Sequence, residues 1–184
     1  MTGITDFVAT GTLPQEVVAK YAPLVPGELA VMWTDYGLGK FRDEYLRVVN
    51  PDDWMQLVKN THQGFNPLIP IMTTAMGDII GWDGEVLLLL DYRHGLVRHV
   101  LTAKHFLRLL DEPKYMEEEL YWNPYTQARE RYGTPDHSQC FGYVPILGAG
   151  GTEGADNLQI VDMRTHIELI TELMGPLERF VFKS

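Results

Sequence analysis

The chain has a single cysteine, no long apolar run and few basic residues for its size. Because Cys140 is alone among 184 residues, no disulfide can form within the chain, which fits a reducing compartment. The longest uninterrupted aliphatic run, Val86 to Leu90, has the length of a strand and falls far short of a membrane span. The N-terminus carries Asp6 and no early basic cluster, so it lacks the pattern of a secretory signal. We therefore expect a cytoplasmic protein without a membrane segment.

Basic residues are also scarce in this chain. The chain has 15 Lys and Arg against 25 Asp and Glu, a net charge of −10. Residues 111–139 hold seven acids and three bases, and residues 140–184 hold six and three, whereas residues 40–110 are balanced. Phosphate contacts require a basic surface, so we expect no nucleic acid partner. Two interpretations of the acidity stay open: it provides solubility, or it attracts a basic protein partner.

Apolar periodicity and turn signals predict an α+β fold, with a mostly antiparallel sheet, helices packed on it and two closely associated subdomains. Asp83-Gly84 between two apolar runs is the strongest hairpin signal in the chain. Charge and composition change at Asp111-Glu-Pro113, so we place the subdomains at residues 1–110 and 111–184. The predicted strands of the first subdomain include 71–75, 78–82, 85–90 and 96–101, and its predicted helices include 14–21, 26–36 and 103–110.

Two helix starts have residues suited to capping. Asn50-Pro-Asp-Asp-Trp54 places a side-chain oxygen before Pro51 at the first helical position. Thr102 is the corresponding candidate for the helix that begins at Ala103.

The stretch from Cys140 to Val161 predicts a strand, a glycine loop and a second strand. Glycines between Gly148 and Gly154 allow positive φ angles or close backbone approach. A phosphate-binding loop would end in Lys followed by Ser or Thr before a helix, whereas Thr152-Glu153 follows here and a strand comes next. The loop therefore suits binding of a protein better than binding of a nucleotide.

No catalytic or metal-binding motif accompanies this loop. The six histidines show no HExxH pattern and no zinc-ligand spacing, although the sequence leaves open a site assembled from distant histidines. Asp136-His137 and Cys140 are residue types of a thiol hydrolase. However, adjacent Asp and His side chains rarely face each other, and Cys140 begins a buried strand, where thiols are usually inert. We expect no enzyme activity, no metal and no cofactor.

The last predicted helix runs from Met163 to Met174 and ends at Gly175-Pro176. Its apolar residues recur at three- and four-residue steps, and Leu169 and Leu173 widen the apolar stripe. The tail from Leu177 to Phe182 is apolar enough to pack or to add an edge strand.

The motifs of this C-terminal part resemble the C-terminal domain of type VI secretion immunity proteins. The resemblance rests on Phe141-Gly-Tyr-Val-Pro145, Gly148-Ala-Gly-Gly151, Asn157-Leu-Gln-Ile-Val161 and the helix with His166. The N-terminal part resembles the GAD-like domain that those proteins also carry. This resemblance rests on Leu29-Ala-Val-Met-Trp-Thr-Asp-Tyr-Gly-Leu-Gly39, Val49-Asn-Pro-Asp-Asp-Trp54 and Thr74-Ala-Met-Gly-Asp78. The resemblance implies an immunity protein that protects a bacterium from its own DNase toxin. It implies no catalytic residues.

We expect such a protein to bind its DNase effector through an acidic surface of the second subdomain and through the glycine loop. The predicted partner-binding residues are Glu117, Glu118, Glu119, Tyr121, Trp122, Gly150, Gly151, Glu153 and Asp156. Two alternatives stay open, a small-molecule-binding hydrolase with a site at the domain junction and a regulatory adaptor module.

Overall fold

The computed structural model describes residues 4–64, 66–100 and 102–178. They form an α+β fold built on a seven-stranded antiparallel sheet with helices packed against it, which confirms the predicted class. None of the described helices is both long enough and apolar enough to span a membrane.

The elements follow one another along the chain as strands β1 to β11 and helices α1 to α7. In order they are β1 (Val8–Gly11), α1 (Gln15–Tyr21), α2 (Gly27–Val31), β2 (Leu38–Phe41), β3 (Leu46–Val48), α3 (Pro51–Thr61), β4 (His62–Gln63), β5 (Ile69–Thr74), β6 (Ile79–Trp82), β7 (Leu87–Asp91), β8 (Leu96–His99), α4 (Ala103–Leu109), α5 (Pro113–Leu120), α6 (Trp122–Tyr132), β9 (Gln139–Tyr143), β10 (Leu158–Asp162), α7 (Met163–Met174) and β11 (Leu177–Glu178). A π-helical turn, Met32–Tyr36, continues α2 to the predicted end of this helix at Tyr36.

The main sheet has the strand order β1-β2-β3-β5-β6-β7-β8, so it is a meander in which α3 and β4 are inserted between β3 and β5. Its centre is buried on both faces. Leu87 and Leu89 of β7 point into one apolar cluster, and Leu88 and Leu90 point into the other. This explains why the β7 sequence is continuously apolar instead of alternating.

The first apolar cluster crosses residue 110. It joins Ala103 and Phe106 of α4 to Leu120 of α5, Tyr125 of α6 and Phe141 of β9. The two predicted subdomains therefore share a core, as expected of closely associated parts. The division at residue 110 stays a prediction.

Local turn chemistry determines several of these boundaries. Gly84 has a φ of 99° in the β6–β7 hairpin, where Asp83 Oδ1 accepts hydrogen bonds from the backbone N–H of Glu85 and Val86. Asn50 caps α3 by accepting from Asp52 N–H at 3.1 Å. Thr102 precedes α4 without a side-chain cap, because its hydroxyl is hydrogen-bonded to the His105 ring instead.

The predicted strand, glycine loop and second strand are confirmed as β9, residues 144–157 and β10, which pair antiparallel from Leu158–Tyr143 to Asp162–Gln139. The arm formed by β9 and β10 is tied to the main sheet where Phe141 N–H donates to the Ala75 carbonyl at 2.7 Å.

Helix α7 has the predicted bounds, and Asp162 caps it by accepting from Thr165 N–H at 2.9 Å. Its buried face is narrower than the apolar pattern predicts. Met163, Ile167 and Ile170 are buried, whereas Leu169 is 53% exposed and Leu173 is 55% exposed. After α7, β11 pairs in parallel with β4, and the rest of the predicted tail, residues 179–182, lies outside the described residues.

Candidate functional site

Three segments meet at a polar junction that centres on His94. The segments are the β7–β8 turn, the α5–α6 link at Tyr121 and the glycine loop at Glu153. His94 Nδ1 lies 2.8 Å from Asp91 Oδ2, and His94 Nε2 lies 2.6 Å from Glu153 Oε1. The hydrogen bond to Asp91 is the main reason why the pKa of His94 is raised, and Glu153 adds to it. The imidazole thus connects a buried carboxylate to an exposed one.

A buried ion pair between Arg93 and Asp78 holds the β7–β8 turn against the main sheet. Arg93 binds Asp78 through two hydrogen bonds, Nε to Oδ1 at 3.2 Å and Nη2 to Oδ2 at 2.7 Å. Both side chains are almost completely buried. Burial raises the pKa of Asp78 to about 6, and the positive charge of Arg93 opposes that rise. Such a pair keeps Asp78 compensated in a region without solvent.

Tyr121 is held by the same cluster. Its backbone has a φ of 54°, in the left-handed region between α5 and α6. The centroid of its ring lies 4.9 Å from the centroid of the His94 ring and 4.6 Å from the guanidinium carbon of Arg98. Arg98 Nη2 also donates a hydrogen bond to the Tyr121 hydroxyl. Tyr121 is therefore partly buried, and its ring fastens the α5–α6 link to the main sheet.

A group of hydrogen bonds from Arg47 holds the segment that leads into β9. The buried guanidinium of Arg47 on β3 donates to the carbonyl oxygens of Pro135, Asp136, His137 and Gln139. Burial lowers the pKa of Arg47. The side chain thereby joins the central sheet to the base of the β9–β10 arm.

The predicted acidic surface on α5 is exposed. Glu117, Glu118 and Glu119 all face solvent, and Glu118 lies 3.8 Å from Lys114. Trp122 is partly buried because its ring packs on Tyr45 and Tyr125 at centroid distances of 5.3 and 5.7 Å. A cleft of about 230 Å³ lies between this helix and the sheet, with Arg42, Met116, Glu117 and Trp122 among its lining residues.

The glycine loop has two backbone conformations that favour glycine. Gly150 has a φ of 87°, and Gly154 has a φ of 135°. Gly151 is required for space and not for a positive φ angle, because a Cβ atom there would overlap the carbonyl oxygen of Pro145. The Val144–Pro145 peptide bond is cis. Asp156 is 91% exposed and forms an ion pair with Arg131 of α6.

Of the predicted partner-binding residues, the structure brings Tyr121 and Glu153 together through His94. The sequence analysis does not identify His94, Arg93 or Arg98 as parts of this junction. Asp78 and Asp91 flanking apolar strands were the available signal, because buried carboxylates are usually paired with bases.

Two observations bear on catalysis. Cys140 is fully buried, and burial raises the pKa of its thiol to about 12, so the thiolate is scarce at neutral pH. Within residues 4–64, 66–100 and 102–178, no group of three or more His, Cys, Asp or Glu side chains is placed to hold a metal ion.

Comparison with known families gives two matches. A model of the GAD-like domain matches residues 2–91, and a model of the C-terminal domain of the T6SS immunity protein Tdi1 matches residues 101–174. Together they cover most of the chain, in the predicted order. The chain combines a GAD-like domain with the C-terminal domain of a T6SS immunity protein. Below, residues 2–91 are called the GAD-like domain and residues 101–174 the immunity domain.

The fold of this immunity protein also occurs in a solved structure. It is similar to the crystal structure of Atu4351 from Agrobacterium tumefaciens, with a TM-score of 0.71 and 14% identity over 90% of this chain and 85% of that chain. At that identity the likeness concerns the fold alone. A search of curated proteins found no match.

Proposed function

We propose that this immunity protein binds a cognate DNase toxin and neutralises it by occluding or distorting the active site. It acts in the cytoplasm, where the toxin would reach DNA, and it performs no reaction of its own. DNase action requires a basic surface that grips phosphates, and an acidic protein of complementary shape can occupy that surface.

The observation that carries the proposal is the one-sided use of charge in the immunity domain. Most of its described Lys and Arg residues are paired within the chain: Lys114 with Glu118, Arg129 with Asp43 and Glu44, Arg131 with Asp156, and Arg164 with Trp54 and the Asp53 carbonyl. Lys104 and Arg108 on α4 are exposed and form no ion pair with the described residues. From α5 onward, therefore, each described Lys or Arg contacts another group of the same chain.

The carboxylates of the same region are used differently. Several are exposed and make no ion pair with any described residue: Glu112, Glu117, Glu119, Glu130, Glu168 and Glu172. A surface with spare negative charge attracts a basic partner and speeds association at low salt. The proposed contact residues are the acidic and aromatic residues of α5 and its link together with the glycine loop, namely Glu117, Glu118, Glu119, Tyr121, Trp122, Gly150, Gly151, Glu153 and Asp156.

Co-expression and inhibition assays test the function directly. The product of the neighbouring gene should be toxic when expressed alone, harmless with this chain, and should co-purify with it at fixed stoichiometry. Purified immunity protein should stop DNA cleavage at saturation. A toxin that still cuts DNA while saturated with this protein contradicts the proposal.

Charge reversal tests the surface. Reversing Glu117, Glu118, Glu119, Glu153 and Asp156 together should weaken toxin binding and reduce its salt dependence. Each charge that is buried at the centre of the interface should cost about 2–5 kcal/mol of binding free energy, whereas a charge at the rim should mainly slow association. The matched control reverses five exposed acids of the GAD-like domain, Glu16, Glu28, Asp35, Asp53 and Glu85. If the first variant stays folded and binds like the control, the interface lies elsewhere.

A further inference from the structure

Helix α7 exposes apolar side chains on two consecutive turns. Leu169 is 53% exposed and Leu173 is 55% exposed, and both lie at the edge of the helix face that Met163, Ile167 and Ile170 bury. Met174 is 44% exposed at the C-terminal end of the helix, on a different side of it from Leu169. Single exposed leucines are ordinary on protein surfaces, but neighbouring apolar residues on one helix face form a patch. The patch continues across a groove to Val144, which is 40% exposed.

The groove between α7 and the β9–β10 arm has a volume of about 390 Å³. Val144, Ile146, Val161 and Leu169 are among the residues that line it. His166 lines it too and supports Gly142, where a Cβ atom would lie only 2.5 Å from the ring Nε2. Burial lowers the pKa of His166, so the uncharged ring suits an apolar groove. The groove is thus formed by α7, by β9 and β10 and by the first residues of the glycine loop.

Among the described residues, the charged side chains that flank this groove are acidic. Glu168 and Glu172 are exposed one helical turn apart beside Leu169 and Leu173. The one described base on α7, Arg164, points to α3, with its guanidinium carbon 4.4 Å from the centroid of the Trp54 ring and Nη2 donating to the Asp53 carbonyl at 2.6 Å. A complementary partner therefore presents apolar side chains next to Lys or Arg.

The same charges argue against a second copy of this chain. A symmetric dimer through this face would bring the Glu168 and Glu172 carboxylates of both copies to one interface without a base from α7 to compensate them. Like-charge juxtaposition at an interface costs binding free energy. Charge complementarity thus favours a basic protein as the occupant.

The patch also adjoins the glycine loop. Met174 contacts Gly148, where a Cβ atom would lie 2.5 Å from the Met174 sulfur, and it reaches Gly95 of the β7–β8 turn, where a Cβ atom would lie 3.1 Å from Met174 Cε. The C-terminal end of α7 therefore packs on the loop that contains Gly150 and Gly151. In contrast, Tyr121 and Trp122 direct much of their ring surface to contacts inside the protein.

We propose that Leu169 and Leu173 of α7, with Val144 across the groove, form the apolar anchor site for the basic toxin. The inference rests on the proposed function and gives it a specific docking surface. The toxin inserts apolar side chains into the groove, and its Lys or Arg side chains pair with Glu168 and Glu172.

The test is the double variant Leu169→Gln, Leu173→Gln in the full chain, with toxin affinity measured by calorimetry or surface plasmon resonance. Glutamine keeps the helical propensity, and both positions are exposed, so the variant should unfold at nearly the wild-type temperature. Loss of two buried apolar contacts should weaken toxin binding at least about a hundredfold. A second variant, Glu168→Gln with Glu172→Gln, should reduce the salt dependence of association.

Leu24→Gln is the matched control, because Leu24 is 57% exposed but lies in the GAD-like domain. It should leave affinity unchanged. If wild-type protein neutralises the toxin and Leu169→Gln, Leu173→Gln binds equally well, the α7 docking site is wrong while the proposed function stands. If wild-type protein neither binds nor protects, the proposed function itself fails. Wild-type dimers that become monomers in the double variant, with unchanged toxin affinity, would assign the face to a second copy and overturn the inference.

Discussion

His94 of the β7–β8 turn is hydrogen-bonded to Glu153 of the glycine loop, with 2.6 Å between Nε2 and Oε1. The other ring nitrogen is held by buried Asp91 at 2.8 Å. This places one titratable group between the main sheet and the loop proposed to contact the toxin. The protonated imidazole can donate to both carboxylates at once.

His94 should make stability depend on pH. Its pKa is raised in the folded protein, chiefly by the hydrogen bond to Asp91 and further by Glu153, so the folded state binds the proton more tightly than the unfolded state. The stabilisation is complete below the unfolded pKa of about 6.5 and is lost as pH rises through the raised folded pKa. We expect the difference in unfolding free energy between wild type and His94→Gln to shrink as pH rises through that window.

Chemical denaturation at several pH values measures this difference. Other histidines, such as His137 and His166, have lowered pKa values, but they are present in both proteins and cancel. Glu153→Gln should have a small effect, below about 1 kcal/mol, because Glu153 is 64% exposed. A difference that stays constant or grows with pH would contradict the assigned role of His94.

Arg93→Met should strongly destabilise the protein. The change leaves the fully buried Asp78 carboxylate without the side chain that binds it twice. Breaking a buried ion pair in this way costs about 3–5 kcal/mol. The double variant Arg93→Met, Asp78→Asn should lose less than Arg93→Met alone, because it removes the uncompensated charge.

Equilibrium unfolding in urea compares these variants. Arg108→Met is the control, since Arg108 is exposed and forms no ion pair with the described residues. Equal midpoints for wild type and Arg93→Met would show that the pair does not stabilise the fold.

The glycine loop offers a matched pair of substitutions. Gly150→Ala places a side chain at a φ of 87° with open space around it, so it should cost only about 1–2 kcal/mol. Gly151→Ala would place a Cβ atom against the Pro145 carbonyl, so the loop must shift. We expect the larger loss of both thermal stability and toxin affinity for Gly151→Ala. Equal behaviour of the two variants would rule out close packing at Gly151.

Cys140 should be unreactive in the folded protein. It is fully buried, its pKa is raised to about 12 and its sulfur lies where a Cβ atom on Gly77 would approach to 3.1 Å. A thiol reagent at pH 8 should label it slowly in native protein and rapidly in denaturant. Cys140→Ala should still neutralise the toxin. Fast native labelling, or loss of protection in a folded Cys140→Ala variant, would revive the thiol hydrolase alternative.

Predictions from the sequence succeeded where short-range chemistry decides the structure. The hairpin at Asp83-Gly84, the cap at Asn50 and the strands on either side of the glycine loop are confirmed. Each depends on residues only a few positions apart, whose φ angles or side-chain oxygens act on their own backbone. The apolar pattern of α7 likewise predicts its two ends.

By itself, then, the sequence determined the fold class, the family resemblance, the acidic balance and the order of most helices and strands, although it did not predict the short strands β1 and β4. Only the tertiary structure decided which apolar side chains of α7 are covered, because periodicity marks an apolar stripe but not the width of the neighbours that pack on it. It also decided that His94 meets Glu153, 59 residues later in the chain, and that Tyr121 lies against Arg98. Such contacts between distant residues depend on how the sheet, the α5–α6 link and the glycine loop pack together.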